Sequence, residues 1–195
     1  MKTVMAIVEG DGEVAALPIL LRRLGNWLSP QVRFTVPSPI RVRREQFVNR
    51  EEEFRRMLEL AAAKCGDQGW ILVLLDAGDD CPAEFGRLIL QRAQAIVMHR
   101  RISVVLANRE YEAWFIASAS SLHGNRGLMI AGEEERSCDA IRGAKEWLSS
   151  RMPVSKYREV TDQPGFSALL DLTQARQNSR SFRKLCTEWI KNMST

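Results

Sequence analysis

Three short apolar runs, each ending at a polar turn, constrain this chain more than any other feature. Val4, Met5, Ala6, Ile7 and Val8 run without a break into Glu9-Gly10-Asp11-Gly12-Glu13. Ile71 to Leu75 run the same way into Asp76-Ala77-Gly78-Asp79-Asp80, and residues 102–107 lead to Asn108-Arg109-Glu110-Tyr111-Glu112. Runs this short suit strands rather than helices. The lack of alternation suits strands buried on both faces, as in a parallel sheet sandwiched between helices. Strands are therefore predicted at 3–8, 70–75 and 102–107. A fourth is predicted at 31–36, where Val32 to Val36 alternates as an edge strand would.

Helical patterns fill the gaps, at 13–28, about 45–64 and 83–99. Leu17, Leu20, Leu21, Leu24 and Leu28 share one face of the first. Pro18 fits that helix only if its regular part begins near Leu17. Phe47, Phe54, Met57, Leu58 and Ala61 point inward from the second, with Gly66 just past its end, and Pro82 suits the first turn of the third. The order βαβαβαβ predicts an α/β fold with a mostly parallel central sheet of about four strands and helices on both faces. After about residue 120 the pattern changes. Ser118 to Gly132 reads as a loop, 138–149 as a helix, Arg151 to Gly165 as irregular, and Phe166–Leu172 and Ser181–Met193 as helices. The expected organisation is an α/β core over 1–120 and a helical C-terminal appendage over 121–195 packed on it.

Composition sets bounds on function. The chain has 195 residues and a net charge of +4, with a pI near 9.1. That balance permits a polyanionic partner without requiring one. Cys65, Cys81, Cys138 and Cys186 are far apart and only two histidines accompany them, so neither a zinc site nor a disulfide framework is expected. The N-terminus lacks the pattern of a signal peptide, and no apolar run approaches the ~20 residues that span a bilayer. A soluble, cytoplasmic protein is the expectation.

Carboxylates at the carboxyl ends of parallel strands occupy the place where open α/β sheets hold their sites. Glu9 follows the first strand directly, where an unpartnered carboxylate would be costly. Glu13 falls in the first helical turn, where an acid also serves the helix dipole. Asp76, Asp79 and Asp80 crowd into five residues, and no Lys or Arg lies between Lys64 and Arg87. A hard divalent cation with oxygen ligands would relieve that repulsion. Asp80 alone can instead cap the next helix. Glu110 and Glu112 mark the third strand end and, two apart, cannot face the same way on a helix. Trp114, Phe115 and Ile116 read as core.

Val8-Glu9-Gly10 after strand one, with Asp76 closing a later strand, resembles the Toprim domain of topoisomerases, primases and overcoming-lysogenization-defect nucleases. Nearly the whole chain resembles small stand-alone Toprim-like bacterial proteins of unassigned function, often encoded beside ATPases and suspected in phage defence. The matching stretches are Val8 to Pro18, Leu75 to Pro82, Glu110 to Trp114, Tyr157 through Asp162-Gln163-Pro164, and Arg180 to Leu185. The resemblance implies a Toprim/Rossmann-like fold, Mg²⁺ (or Mn²⁺), and cleavage of phosphodiester bonds in nucleic acid, DNA first. It implies metal ligands Glu9, Asp76, Asp79 or Asp80, and Glu112 in preference to Glu110. Glu9, Glu13, Asp76 and a basic group, for which Lys156 beside Tyr157 is the candidate, would be catalytic. Toprim domains carry Asp-x-Asp, whereas here Gly78 takes the second position, so the second ligand must come from Asp79 or Asp80, or be absent. Arg41, Arg43, Arg44, Arg100, Arg101, Arg176, Arg180 and Arg183 are candidates for phosphate contacts. An ATPase is a further candidate partner, and a homo-oligomer is allowed.

Three rivals remain. One is a non-catalytic metal-binding or regulatory module of an ATPase-containing complex. The second is a receiver-like domain, which would need a strand-terminal Lys where Ala107-Asn108-Arg109 stand. The third is a Rossmann nucleotide site, for which Gly10-Asp11-Gly12 lacks the third glycine.

Overall fold

The computed structural model describes residues 1–131 and 138–193. Its centre is a five-stranded sheet of β1 (Lys2–Val8), β2 (Phe34–Thr35), β3 (Ile40–Arg41), β4 (Trp70–Asp76) and β5 (Arg101–Ala107). The order is β2-β1-β4-β5, β3 pairs with the far end of β1, and every pairing is parallel. The fold is the α/β class expected from the apolar runs. The alternating segment 31–36 yields only the two-residue edge strand β2. The short β3 escapes the sequence reading because two residues carry no periodicity.

Side chains leave each strand alternately to its two faces. Val4, Ala6 and Val8 of β1 join Leu72 and Leu74 in one core, while Met5, Ile7, Ile71, Val73 and Leu75 join a second. The first core is closed by Leu17, Leu20, Leu21 and Leu24 of α1 (Asp11–Leu28). The second is closed by Phe54, Leu58 and Ala61 of α3 (Glu51–Cys65) and by Ile89 and Ala93 of α4 (Pro82–Ile96). The single helix expected at 45–64 is two, because Arg50 is extended between α2 (Arg44–Asn49) and α3. α1 continues through Pro18, which is buried within it. Packing of the leucine face outweighs the hydrogen bond that proline removes.

The C-terminal third is built into the first core. After the short helices α5 (Ala113–Ile116) and α6 (Ala119–Leu122) come α7 (Ala144–Ser150), α8 (Glu159–Leu169), α9 (Leu172–Asn178) and α10 (Arg180–Met193). The segment expected as a loop from 118 thus contains α6, and its last residue, Gly132, lies outside the described residues. The 138–149 helix is a 3-10 turn at Cys138–Ala140 followed by α7. α8 starts at Glu159 within the segment read as irregular, with Pro164 inside it. Phe166 of α8 and Phe182, Leu185 and Trp189 of α10 share the core of α1. Trp189 packs edge-on against Phe34 and Trp70 at 5.1 and 5.9 Å. No helix among the described residues is long and apolar enough to cross a membrane.

Candidate metal centre at the carboxyl ends of β1, β4 and β5

The chain leaves β1 through α1 toward β2 and β3, then returns to β4 on the other side of β1. The gap between β1 and β4 is thus the point where the winding reverses, and the crevice at the strands' carboxyl ends opens there. Pairing of Ile7 with Val73 and of Asp76 with Ala107 brings Glu9, Asp76 and the turn after β5 to one level.

Glu13 is in the third position of α1, and its carboxylate reaches back to accept the Gly10 N–H. Gly10 has no side chain to return the bond, so this is half a capping box. Asp76 Oδ1 accepts the Tyr111 N–H at 2.8 Å. Glu112 is wholly buried. Its Oε1 accepts the Tyr157 hydroxyl at 2.9 Å and the Gln163 Nε2–H at 3.2 Å. The second oxygens stand differently. Glu9 Oε2 and Glu112 Oε2 are buried with no hydrogen-bond partner. α1 and α8 close tightly over this floor, and a methyl at Gly12 would come within 2.2 Å of Gln163 Oε1.

All four carboxyls are raised. Burial is the largest cause in every case. It pushes Glu13 up to about 7, with Glu9 and Glu159 adding to it, and Glu112 up to about 7 against the pull of Lys145. Asp76 keeps an edge toward solvent but is surrounded by protein. Burial, then Glu13, Glu112 and Glu9, raise it well above the usual carboxylate range. Glu9 is raised by burial and held back by Arg44, Lys145 and the Asp76 backbone. Lys145 of α7 is half-buried and ion-paired with Glu159. Burial works against its charge, but Glu112, Glu159 and Asp76 overcome it and keep Lys145 protonated far above neutrality. Five carboxylates therefore face two cations, Lys145 and Arg44.

Of the residues expected at the site, the structure brings together Glu9, Glu13, Asp76 and Glu112. Asp79 and Asp80 have other partners. Asp79 is exposed and paired with Arg109 and Arg142 at 2.8 and 3.2 Å, and Asp80 is paired with Arg44. The local absence of Lys and Arg misled the sequence argument, because these arginines arrive from distant segments. Lys156 is exposed, and Lys145 is the lysine that acts on the cluster. Glu110 accepts the Ala144 N–H at 3.0 Å, tying down the start of α7. Lys145, Glu159 and the buried face of Gln163 carried no signal of their own, since α7 and α8 bring them in by tertiary packing. Gly78 has φ of +59° and Arg109 of +65°, and the Gly78 N–H donates to the Arg109 carbonyl at 3.0 Å. The turn after β4 is thus left-handed at Gly78, a conformation that favours glycine.

The arginines do not form one track. Arg41 pairs with Asp11 and Arg44 with Asp80 near the site. Arg100 and Arg101 stand at the opposite end of β5, where Arg100 holds Asp67 and Arg101 the Asn192 carbonyl. Arg180 pairs with Asp139, Arg183 donates to the Arg176 and Gln177 carbonyls, and Arg176 lies over Trp27.

The quartet offers the donor chemistry that a hard cation takes. Its donors are all carboxylate oxygens, two are buried without a donor, and the surplus charge is negative. Among the described residues no three His, Cys, Asp or Glu side chains stand in a metal-ligating arrangement. One oxygen each of Glu13, Asp76 and Glu112 is turned to an N–H or O–H. No curated protein and no solved structure matches the chain. A family model does match it, over residues 8–189, a span that begins one residue before Glu9 and takes in every residue of the cluster. The chain belongs to the family described as Domain of unknown function (DUF4276).

Proposed function

We propose that the protein is a divalent-metal-dependent phosphodiesterase acting on nucleic acid. The observation that supports this reading is the pair of buried, partnerless oxygens on Glu9 and Glu112 within a four-carboxylate cluster at the sheet's switch point. Glu9, Asp76 and Glu112, with Glu13, would hold Mg²⁺ or Mn²⁺. Bound there, the metal would supply charge on a phosphoryl oxygen and a lowered pKa for the attacking water.

The chain's own groups do the rest. Tyr157 and Gln163 fix the orientation of Glu112 through its Oε1. Lys145 stays protonated and can offer Nζ–H to a non-bridging phosphate oxygen, the role the sequence assigned to Lys156. Arg44 adds positive charge beside Glu9. Phage defence and an ATPase partner rest on the Toprim resemblance.

A second reading is a metal-binding regulatory module without turnover. It is favoured by Asp79 and Asp80, whose ion pairs leave Asp76 as the one turn aspartate in the cluster. Assays on supercoiled plasmid and linear duplex with Mn²⁺ separate the two. Phosphodiesterase action predicts cleavage that Glu9→Gln lowers at least a thousandfold and Lys145→Met about a hundredfold. Lys156→Ala would leave the rate unchanged. Cleavage that survives Glu9→Gln, or none at all with metal bound, would overturn the phosphodiesterase reading.

A further inference from the structure

A cleft of about 570 Å³ opens at the edge of the sheet, between α4 and α10 and away from the carboxylate cluster. β5 is the terminal strand there and, among the described residues, pairs only with β4. The Ala107 carbonyl accepts the Ala77 N–H at 2.9 Å, and the Arg109 carbonyl accepts that of Gly78 at 3.0 Å. Successive residues of a strand turn their backbone groups alternately to its two neighbours. The backbone groups at odd positions of β5 therefore face β4, and those of Val104, Leu106 and Asn108 point away from it, while the Val104 and Leu106 side chains are buried in the second core. The Asn108 N–H is taken by Ser181 Oγ at 3.1 Å. Among the described residues no second strand covers Val104 or Leu106, and both line the cleft. A flat edge with unpaired N–H and C=O groups is a template for another strand.

The surroundings narrow the occupant. The floor is apolar, with Leu90, Val104 and Leu106, and the rim carries Arg87, Arg180 and Lys184 without any Asp or Glu. Arg180 and Lys184 also touch Asp139 and Glu188, while Arg87 is exposed on α4. A second copy pairing edge to edge would bring the same three cations face to face, which disfavours a self-interface.

We propose that this cleft is a docking slot in which an extended acidic segment of a partner protein adds as a sixth strand beside β5. Backbone hydrogen bonds to Val104 and Leu106 would supply affinity. Acidic side chains on the rim and apolar ones on the floor would supply selectivity. The open stretch suits a segment of about four to six residues.

The test uses the full chain and a fluorescein-labelled hexapeptide of alternating glutamate and valine. A lysine-valine hexapeptide serves as control. Anisotropy and amide hydrogen exchange are the readouts. Supporting results are saturable binding of the acidic probe, at least tenfold weakening by Arg87→Glu with melting temperature unchanged, and slowed exchange at Val104 and Leu106. Should Arg87→Glu fail to fold, Arg87→Ala takes its place with a threefold or greater loss expected. The proposal is overturned by no saturable binding at millimolar probe, by equal binding of the lysine control, or by unchanged exchange at Val104 and Leu106. Dimerisation of the chain alone that protects those two amides would also overturn it.

Discussion

Two buried carboxylate assemblies stand on the sheet, and they are built on opposite terms. On the lower half of β5, Glu188 of α10 accepts the Ser103 hydroxyl at 2.5 Å and the Lys184 ammonium at 2.6 Å. Ser103 in turn accepts from the Trp70 indole at 3.1 Å and the Asn192 amide at 3.2 Å. Burial raises the Glu188 carboxyl, but the bonds to Lys184 and Ser103 outweigh it and hold it below the ordinary carboxylate range. At the carboxyl ends of the strands, Glu9, Glu13, Asp76 and Glu112 are raised instead, and two oxygens have no donor. One assembly is a closed network that fastens α10 to the sheet. The other carries an electrostatic load that folding alone does not relieve, the load that the proposed metal would offset.

That contrast can be broken by substitution. Glu188→Ala leaves Ser103 and Lys184 without their acceptor and is expected to destabilise the protein by about 3 kcal/mol, read by urea denaturation. Glu112→Gln keeps an acceptor for Tyr157 and Gln163 but removes a charge from the crowded cluster. It is expected to stabilise the metal-free protein by about 1–2 kcal/mol. If both changes destabilise equally, the two assemblies do not differ as described.

Acid sharpens the comparison. With folded values about 7 against an ordinary 4.5, Glu13 and Glu112 keep protons that the unfolded chain releases between those limits. Stability therefore falls as pH climbs through that window and recovers as pH falls. Without divalent metal the melting temperature should rise by roughly 5 °C from pH 8 to pH 6, and by less in Glu112→Gln. Glu188 acts in the reverse sense. Its lowered carboxyl contributes stability above the ordinary carboxylate range that is lost on acidification below it. A melting temperature that falls steadily from pH 8 to pH 6 would contradict the assignment.

The smallest effect concerns the turn after β4. Gly78→Asp would create an Asp-x-Asp sequence with Asp76, yet the position has φ of +59° and open space around its side. The substitution should cost about 1 kcal/mol of stability, seen in thermal melts, and leave metal affinity unchanged. A gain in affinity would show that the turn can supply a ligand after all.

The sequence was legible where the physics is local. Continuous apolar runs gave β1, β4 and β5, and the leucine spacing gave α1, because burial on two faces and a helical period both leave a mark in one window. Glu9 and Asp76 were legible for the same reason, as charges closing apolar strands. What escaped was set by distant partners. Arg44, Arg109 and Arg142 neutralise Asp79 and Asp80 from three separate segments. Lys145, rather than Lys156, reaches the cluster because Glu110 pins the start of α7. α8 began earlier than its pattern suggested because packing on α1 outweighs Pro164, and that early start delivers Glu159 and Gln163.

The most direct test is calorimetric titration of Mg²⁺ and of Mn²⁺ into the wild-type chain, Glu9→Gln and Asp76→Asn at pH 8. A divalent-cation centre predicts saturable binding in the wild type that both substitutions abolish. Absence of binding at millimolar metal, or binding that persists in both variants, would contradict it.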